Sequence, residues 1–574
     1  MAATDVTIGT GVQTIGSNAF KYCTALTNVT WNAKNCSYSS TSDLCFDLCP
    51  ISSLTIGSQV ESLPDYFMLD KTGIETLIIP NSVKTIGVSA FDGCTGLASL
   101  SIGNSVTLID DYAFKGCSLL TSVNIPNSVT DIAFQAFQNC TGMTSLTIGE
   151  SVSTLKYSAF YGCTGLSNLT WNARNCDAPN ERFPDSPITS LSIGTNVESL
   201  PEKFMYQKTG LTSVSIPNSV TTIGKSAFSG CTGLNNIHIG TGVNAIGEDA
   251  FLGCTGLQKV NMNNLATWCG ISFANDASNP LYYAHHLYYM NLTEIKELSI
   301  PNMVTAISDR AFLWCYGLTK VSGGSALSTI GADAFESCSN LKTVIIPNSV
   351  TTIGDGAFNQ CENLTSLAIG NSVTSIGNEA FEYCDALEQV SIPASVTTIG
   401  DRAFSNCSGI TSFVMGESVQ SIGARAFRNC LELTEFVIPA SVKSIGERAF
   451  YNCSGIERIE SYPNPANVTL GSEVFYGVEK EGTLHVLPAY LSAYQTADQW
   501  KDFSPIAGDL TGGIVMGDVN GDGNVDVADV VALASYTMGD VPDGTFVLEA
   551  ANINGDNEIN VSDVVALANQ VMGE

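Results

Sequence analysis

A pattern of apolar and polar positions recurs every 23 residues along most of this chain. Between residues 340 and 453 the pattern is written five times with almost no change, and each copy ends in Ala-Phe-x-x-Cys. The phenylalanines of these copies are Phe358, Phe381, Phe404, Phe427 and Phe450. A fixed period of this size is typical of a solenoid, in which each repeat buries its apolar side against the next one.

Each repeat has two halves with different patterns. In Leu341-x-x-Val344-x-Ile346-Pro347 apolar and polar residues alternate, which predicts a short strand. Pro347 ends that strand, because proline has no N–H to donate to a neighbouring strand. The second half, residues 349–361, returns the chain with a turn at Gly354. Stacked copies would therefore form a parallel sheet from their first halves.

The same alternation predicts 21 strands in this sheet. Their middle residues are Val6, Val29, Leu54, Leu77, Leu100, Val123, Leu146, Leu169, Leu191, Val214, Ile237, Val260, Leu298, Val321, Val344, Leu367, Val390, Phe413, Phe436, Ile459 and Leu484.

The repeat frame Ala-Phe-x-x-Cys-x-x-Leu-x-x-Val-x-Ile-Pro-x-Ser-Val-x-x-Ile-Gly resembles the BspA-type leucine-rich repeat of bacterial surface proteins. The resemblance implies a fold class: a leucine-rich-repeat solenoid of mostly strand and coil, with a parallel sheet. We expect residues 1–481 to form the solenoid and residues 482–507 its C-terminal cap. Residues 508–515 then form a linker to a small helical domain over residues 516–574. A strand half begins at Asp5 without a preceding cap, so we expect the natural chain to start further upstream.

An irregular insert at about residues 262–295 interrupts the period. It contains four tyrosines and the adjacent pair His285 and His286. Adjacent histidines point in different directions and lack the spacing of metal ligands. We interpret the insert as an enlarged repeat whose aromatic residues fill the gap, and a ligand site is the alternative.

Nineteen cysteines occur in the chain, and their spacing favours buried thiols. Fourteen lie three residues after a repeat phenylalanine: Cys23, Cys94, Cys117, Cys140, Cys163, Cys231, Cys254, Cys315, Cys338, Cys361, Cys384, Cys407, Cys430 and Cys453. Stacked repeats would place them in one row as small hydrophobic residues. Five lie outside the row: Cys36, Cys45, Cys49, Cys176 and Cys269. A disulfide among the first three of these stays open.

Composition narrows the range of partners. The 55 Asp and Glu against 24 Lys and Arg give a net charge of −31, which repels nucleic acid and anionic membranes. Only 14% of residues are charged, a composition that we associate with extracellular proteins. No apolar run is long enough to insert into a membrane. The strand face carries small polar residues that turn aliphatic towards the C-terminal repeats, which fits a shallow contact with a host or microbial surface protein or glycan. A spacer with a solvated sheet is the alternative.

Two loops near the C-terminus carry the spacing of calcium ligands. Loop 1 offers oxygen donors at positions 1, 3, 5, 9 and 12, a glycine at position 6 and the backbone carbonyl at position 7, as in a calcium-binding turn. These residues are Asp518, Asn520, Asp522, Asn524, Asp526 and Asp529. Loop 2 repeats the spacing with Asn552, Asn554, Asp556, Glu558, Asn560 and Asp563. Because loop 2 has only two side-chain carboxylates at ligand positions against four in loop 1, we expect two Ca²⁺ sites with weaker binding at the second.

Two loop–helix copies that end in Asp resemble a type I dockerin, the module that binds cohesin domains. The resemblance covers residues 516–574 and implies that loop positions 10 and 11 meet the cohesin. These positions hold Val527, Ala528, Val561 and Ser562. A calcium-stabilised terminal module without a cohesin partner is the alternative.

The sequence lacks the common catalytic motifs, which argues against an enzyme. The chain has no Gly-x-Ser-x-Gly, no His-Glu-x-x-His and no phosphate-binding loop, and its four histidines are scattered. We therefore expect a secreted or cell-surface bacterial protein that binds or scaffolds without catalysis and docks through a calcium-dependent dockerin to a cohesin-bearing partner. The alternative is a surface adhesin or stalk whose terminal module is only stabilised by calcium.

Overall fold

The computed structural model describes residues 3–38, 44–176, 182–290, 292–511, 517–520, 524–538, 546–547, 550–553 and 559–572. The chain divides into two units. The first contains Met1–Lys296 and Ser308–Gly317, and the second contains Glu297–Ile307 and Leu318–Glu574. Both units contain 23-residue repeats, and the second also contains the C-terminal helices.

Parallel strands from the first half of each repeat form what we call the first ladder. In the first unit these strands are Asp5–Ile8, Asn28–Trp31, Ser53–Ile56, Thr76–Ile78, Ser99–Ser101, Ser122–Asn124, Ser145–Ile148, Asn168–Trp171, Ser190–Ile193, Ser213–Ser215, Asn236–Ile239, Lys259–Met262 and Leu287–Tyr289, with Thr293–Glu294 antiparallel to the last one. In the second unit they are Glu297–Ser299, Lys320–Ser322, Thr343–Ile345, Ser366–Ala368, Gln389–Ser391, Ser412–Val414, Glu435–Ile438, Arg458–Ser461 and Leu484–Val486.

All 21 predicted strands are present in the first ladder, and the middle residues of paired neighbours lie opposite each other. For example, Val344 pairs with Val321 on one side and with Leu367 on the other. One further strand, Leu287–Tyr289, comes from the insert and pairs with the strand that contains Val260. The parallel-sheet leucine-rich-repeat solenoid predicted from the sequence is confirmed.

A second ladder of two-residue strands, not predicted from the sequence, runs through the second halves of the repeats. In the first unit it contains Thr14–Ile15, Ser37–Tyr38, Ser62–Leu63, Thr85–Ile86, Leu108–Ile109, Asp131–Ile132, Thr154–Leu155, Ser199–Leu200, Thr222–Ile223, Ala245–Ile246 and Ser272–Phe273. In the second unit it contains Ala306–Ile307, Thr329–Ile330, Thr352–Ile353, Ser375–Ile376, Thr398–Ile399, Ser421–Ile422, Ser444–Ile445 and Thr469–Leu470.

The core of each unit is a column of stacked phenylalanines. Phe381 lies between Phe358 and Phe404, with ring centroids 5.4 Å and 5.2 Å away and nearly parallel planes. These rings are completely buried. The first unit has the same arrangement at Phe114, which stacks between Phe91 and Phe137. Each repeat thus covers the apolar ring of its neighbour, which is the burial that the period predicts.

The row of cysteines lies beside this column, and the structure shows no disulfide bond among the cysteines of the described residues. Most thiols of the row donate to the phenylalanine carbonyl of the preceding repeat, whereas Cys94 and Cys231 donate to the carbonyls of Met68 and Met205. In Cys384 and Cys407, for example, Sγ lies 3.4 Å and 3.0 Å from the carbonyl oxygens of Phe358 and Phe381. The predicted burial fails at Cys23, which is exposed, since it lies at the first repeat of this chain.

The insert contains helix α1, Leu265–Cys269, helix α2, Leu281–Ala284, and a 3₁₀ turn at Asp276–Ser278. The buried Trp268 of α1 donates from Nε1 to the carbonyl of Ala311, 2.8 Å away. The two histidines have different partners. His285 stacks on Tyr316 at 4.3 Å, and Nδ1 of His286 lies 2.6 Å from Oε1 of Glu294.

The repeats of the second unit end at buried aromatic residues. A 3₁₀ turn at Pro465–Asn467 precedes the last strand, and Pro488–Tyr490, helix α3 at Leu491–Tyr494 and Trp500–Asp502 follow it. The hydroxyl of Tyr494 lies 2.7 Å from Oγ of Ser461 and donates to the carbonyl of Pro463. Trp500 is buried against Phe475, with ring centroids 4.8 Å apart, and therefore packs as a core residue.

Two longer helices lie near the C-terminus: α4, Val527–Thr537, and α5, Val561–Met572. Leu533 of α4 and Leu567 of α5 share a small buried core with Val519, Ala550 and Ala551. Across the described residues, no helix combines the length and the apolar character needed to cross a membrane.

Candidate metal centre

Helix α4 begins at the last third of loop 1. Asp526 is its N-cap and accepts a hydrogen bond from the N–H of Ala528 at 2.7 Å. In return, the N–H of Asp526 donates to Oδ2 of Asp529 at 2.9 Å. This reciprocal pair satisfies N–H groups that have no partner inside the helix. It also fixes the carboxylate of Asp529 against the loop.

Asp529 connects the end of loop 1 to its beginning. Its Oδ1 accepts from the N–H of Asn520, 3.1 Å away. Asp529 is completely buried, and Asp518 at the first loop position is only 8% exposed. The loop therefore closes on itself, with carboxylates from both of its ends withdrawn from water.

Loop 2 closes in the same way. Oδ2 of Asp563 accepts from the N–H of Asn560 at 2.9 Å, and Oδ1 accepts from the N–H of Ile553 at 2.8 Å. Oδ1 of Asn560 accepts from the N–H of Ser562 at 2.8 Å, next to the start of α5. Asp563 is completely buried, as Asp529 is. The last aspartate thus closes both loops, but its far donor is the N–H at loop position 3 in loop 1 and at loop position 2 in loop 2.

The two loops are held together by the small core behind them. Gly517 precedes loop 1 with φ at +103°, and a Cβ there would lie 2.9 Å from Leu567 of α5 and from Val525 of loop 1. Only glycine adopts this backbone conformation without strain, and only glycine permits so close an approach. Leu567 and Leu533 are both fully buried at this contact.

The charges of this region fit a bound cation. Residues 516–574 contain eleven Asp and Glu and not one Lys, Arg or His. Burying a carboxylate is costly unless a cation balances it, and no basic side chain in this region can do so. Oxygen donors on a short loop are the ligands that Ca²⁺ prefers. The buried Asp518, Asp529 and Asp563 therefore fit calcium better than a structure without metal.

The predicted ligand set is described only in part. Asp518, Asn520, Asn524, Asp526 and Asp529 of loop 1, and Asn552, Asn560 and Asp563 of loop 2, are among the described residues. Asp522, Asn554, Asp556 and Glu558 lie outside them. Within the described part of the chain no group of three acidic, His or Cys side chains comes together as a metal site. The full ligand set stays a prediction.

Comparison with protein families assigns both parts of the chain. The model of the BspA type leucine-rich repeat region matches residues 2–121, 107–208, 201–279, 285–411 and 374–486. This chain belongs to the BspA-type leucine-rich repeat family. The model of the dockerin type I domain matches residues 516–572, which contain both loops, α4 and α5. Dockerin type I domains bind calcium, and neither family is an enzyme fold, which supports a protein without catalysis.

Solved structures with leucine-rich repeats resemble the chain at low identity. A leucine-rich repeat protein from Bacteroides ovatus is 22% identical, with 76% of this chain and 87% of that one covered and a TM-score of 0.32. One from Eubacterium ventriosum is 19% identical, with 71% and 91% covered and a TM-score of 0.26. The T. pallidum leucine-rich repeat protein is 26% identical, with 32% and 76% covered and a TM-score of 0.25. The search of curated proteins finds no match to this chain.

The candidate partner-binding residues of the dockerin domain lie in the first turns of its two helices. Val527 and Val561 are 65% and 67% exposed, and Ala528 and Ser562 are exposed beside them. One helical turn further, Val531 and Val565 are also exposed. This second pair was not predicted from the sequence, although the four-residue spacing from Val527 and Val561 places both valines on the same helix faces.

Proposed function

We propose that this chain is a secreted or cell-surface bacterial protein that binds and scaffolds without catalysis. Its repeats present an extended surface to a host or microbial protein or glycan, and its dockerin domain attaches it to a cohesin-bearing partner when calcium is bound. One observation carries the proposal. A domain with buried carboxylates and no basic residue follows a solenoid of BspA-type repeats. The proposed division is 1–481 solenoid, 482–507 cap, 508–515 linker and 516–574 dockerin.

Calcium would be held by both loops. In loop 1 the side chains of Asp518, Asn520, Asp522, Asp526 and Asp529 supply oxygen, and Asn524 supplies its carbonyl. In loop 2 the corresponding residues are Asn552, Asn554, Asp556, Glu558, Asn560 and Asp563. The ion supplies the positive charge that the domain lacks. Residues 527, 528, 561 and 562 then form the candidate cohesin-binding surface, which is apolar at both valines.

A pull-down of the full chain with a panel of type I cohesins tests the attachment. We expect capture in millimolar Ca²⁺ and loss of capture in excess chelator. The double variant V527D/V561D places charge on the candidate surface and should weaken capture at least about tenfold, since buried interface positions carry most binding energy. M538D at the other end of α4 makes the same kind of change outside that surface and should leave capture within about twofold.

Failure to capture any cohesin, while calcium still stabilises the domain, would favour the adhesin or stalk alternative. Equal losses in V527D/V561D and M538D would contradict the assignment of the surface.

A further inference from the structure

Four arginines of the second unit line one cavity in an otherwise strongly acidic chain. The cavity has a volume of about 400 Å³ and is lined by Arg402, Arg425, Arg428, Arg448 and Tyr451. A cavity of this size lies at the lower end of the range for small-molecule sites. A concentration of positive charge here is unexpected, because the chain as a whole carries a net charge of −31.

The repeat geometry sets the spacing of these arginines. Arg402, Arg425 and Arg448 each precede an Ala-Phe pair and are 23 residues apart. Each has a positive φ, between 53° and 57°, so the three backbones take one conformation. The phenylalanines that follow them stack at 5.7 Å and 5.3 Å. One guanidinium is therefore presented per repeat, at intervals set by the stacked core.

Glutamates orient three of the four guanidinium groups. Arg402 pairs with Glu379 at 2.5 Å, and Arg448 pairs with Glu473 at 2.6 Å. Arg425 and Arg448 both contact Glu447, at 3.4 Å and 3.2 Å. These three carboxylates hold the arginines in place and leave part of each guanidinium exposed. Within the described residues Arg428 has no carboxylate within 4 Å; its recorded side-chain contact is with the Tyr451 ring.

Tyr451 joins the arginines to an exposed aromatic surface. Arg428 and Arg448 lie over its ring, 5.8 Å and 5.7 Å from the centroid, as in cation–π pairs. Its ring stacks on Tyr476 at 4.8 Å, and Tyr476 is 59% exposed. The negative face of such a ring attracts the weakly positive C–H groups of a sugar ring. The guanidinium groups of Arg428 and Arg448 thus lie next to the stacked rings of Tyr451 and Tyr476.

We propose that this cavity binds an acidic sugar, with its carboxylate on the arginines and its ring on the tyrosine pair. The guanidinium group matches a carboxylate through two parallel hydrogen bonds, and Arg428 is the arginine without a carboxylate partner. The exposed ring of Tyr476 favours a sugar over a bare anion or an acidic peptide. This inference names a ligand class for the repeat surface, and it rests on the binding role proposed above.

Calorimetric titration of the full chain in calcium tests the ligand class. The probes are trigalacturonate, the neutral trisaccharide maltotriose, triglutamate and inorganic phosphate. We expect trigalacturonate to bind at least about tenfold more tightly than maltotriose, which loses a charge-assisted hydrogen bond. It should also bind more tightly than triglutamate and phosphate, which have no sugar ring to stack on the tyrosine pair. R428Q should weaken trigalacturonate binding by about tenfold or more. Y476A should weaken trigalacturonate binding and leave the phosphate titration unchanged.

R310Q is the matched control, because Arg310 precedes an Ala-Phe pair as three of the cavity arginines do, but pairs with Asp276 elsewhere in the chain. It should leave binding within about twofold. Equal binding of triglutamate or phosphate, equal losses in R310Q and R428Q, or no binding of trigalacturonate would overturn the proposal. Cohesin capture by the same preparations separates the two claims, because R428Q and Y476A leave the dockerin unchanged.

Discussion

The row of cysteines includes buried thiols whose ionisation is strongly disfavoured. Burial raises the pKa of Cys94, Cys163 and Cys231 to about 12, because a thiolate there would lose its hydration. A thiol whose pKa lies this far above 8 stays protonated at that pH, and only the thiolate is nucleophilic. The buried cysteines are therefore structural residues.

Labelling with a thiol reagent at pH 8 should modify Cys23, the exposed cysteine, well before the others. All 19 thiols should react once the chain is unfolded in denaturant. Peptide mapping after a short pulse identifies the labelled sites. Rapid labelling of several row cysteines in the folded chain would contradict the burial.

The second prediction at the residue scale concerns the carboxylates at loop position 12, Asp529 and Asp563. In D529N one carboxylate oxygen, which accepts a hydrogen bond from a backbone N–H, is replaced by an NH₂ group that cannot accept one. The substitution also removes the negative charge that would bind calcium. We expect D529N to abolish binding at the tighter site and to destabilise the domain by about 1–3 kcal/mol. D563N should remove the weaker site and leave the tighter one.

Calcium titration calorimetry of the full chain measures both effects. D498N is the control, since the Asp498 side chain is 88% exposed and pairs only with a nearby lysine. Two calcium sites of equal affinity in the wild-type chain would contradict the prediction that loop 2 binds calcium more weakly than loop 1.

At the scale of the element, the unit of stability is the contact between one repeat and the next. Phe404 stacks on Phe381 and Phe427 and is completely buried. F404A would leave a cavity between two repeats and should cost about 3–5 kcal/mol. Hydrogen exchange should accelerate first in the repeats on either side of residue 404, because each repeat depends on its neighbours.

V414A is the matched control, because Val414 lies in the next strand of the same region but is 58% exposed. It should change the free energy of unfolding by less than about 0.5 kcal/mol. Uniform acceleration of exchange over the whole solenoid in F404A would contradict coupling between nearest neighbours.

The sequence predicted the first ladder because alternation at Leu341, Val344 and Ile346 marks a strand directly. It did not predict the second ladder, because Thr352–Ile353 and its equivalents are two residues long and too short to show any period. The strand Leu287–Tyr289 was also not predicted, because its register depends on the number of insert residues between it and the preceding strand. The local pattern of the insert does not reveal that number.

At the scale of the whole molecule, the sequence predicted the calcium loops but not the arginine cavity. Spacing alone identifies loop donors, because all of them lie within twelve consecutive residues. Arg402, Arg425 and Arg448 are separated by whole repeats and converge only when the repeats stack. A net charge summed over the chain also hides a local concentration of the opposite sign.

The two parts of the chain differ in what stabilises them. The solenoid is stabilised by stacked apolar side chains. Among the described residues of the dockerin, five apolar residues are fully buried in its core, and the carboxylates of Asp518, Asp529 and Asp563 are also buried. Small domains often need a metal to offset so small a core. Metal removal should therefore act on the dockerin alone.

Differential scanning calorimetry of the full chain in calcium and in chelator tests this claim most directly. We predict a large solenoid transition at the same temperature in both, and a smaller transition that moves down by about 10 °C or more, or disappears, in chelator. A chelator that shifts neither transition, or that shifts the solenoid as far as the dockerin, would contradict the account.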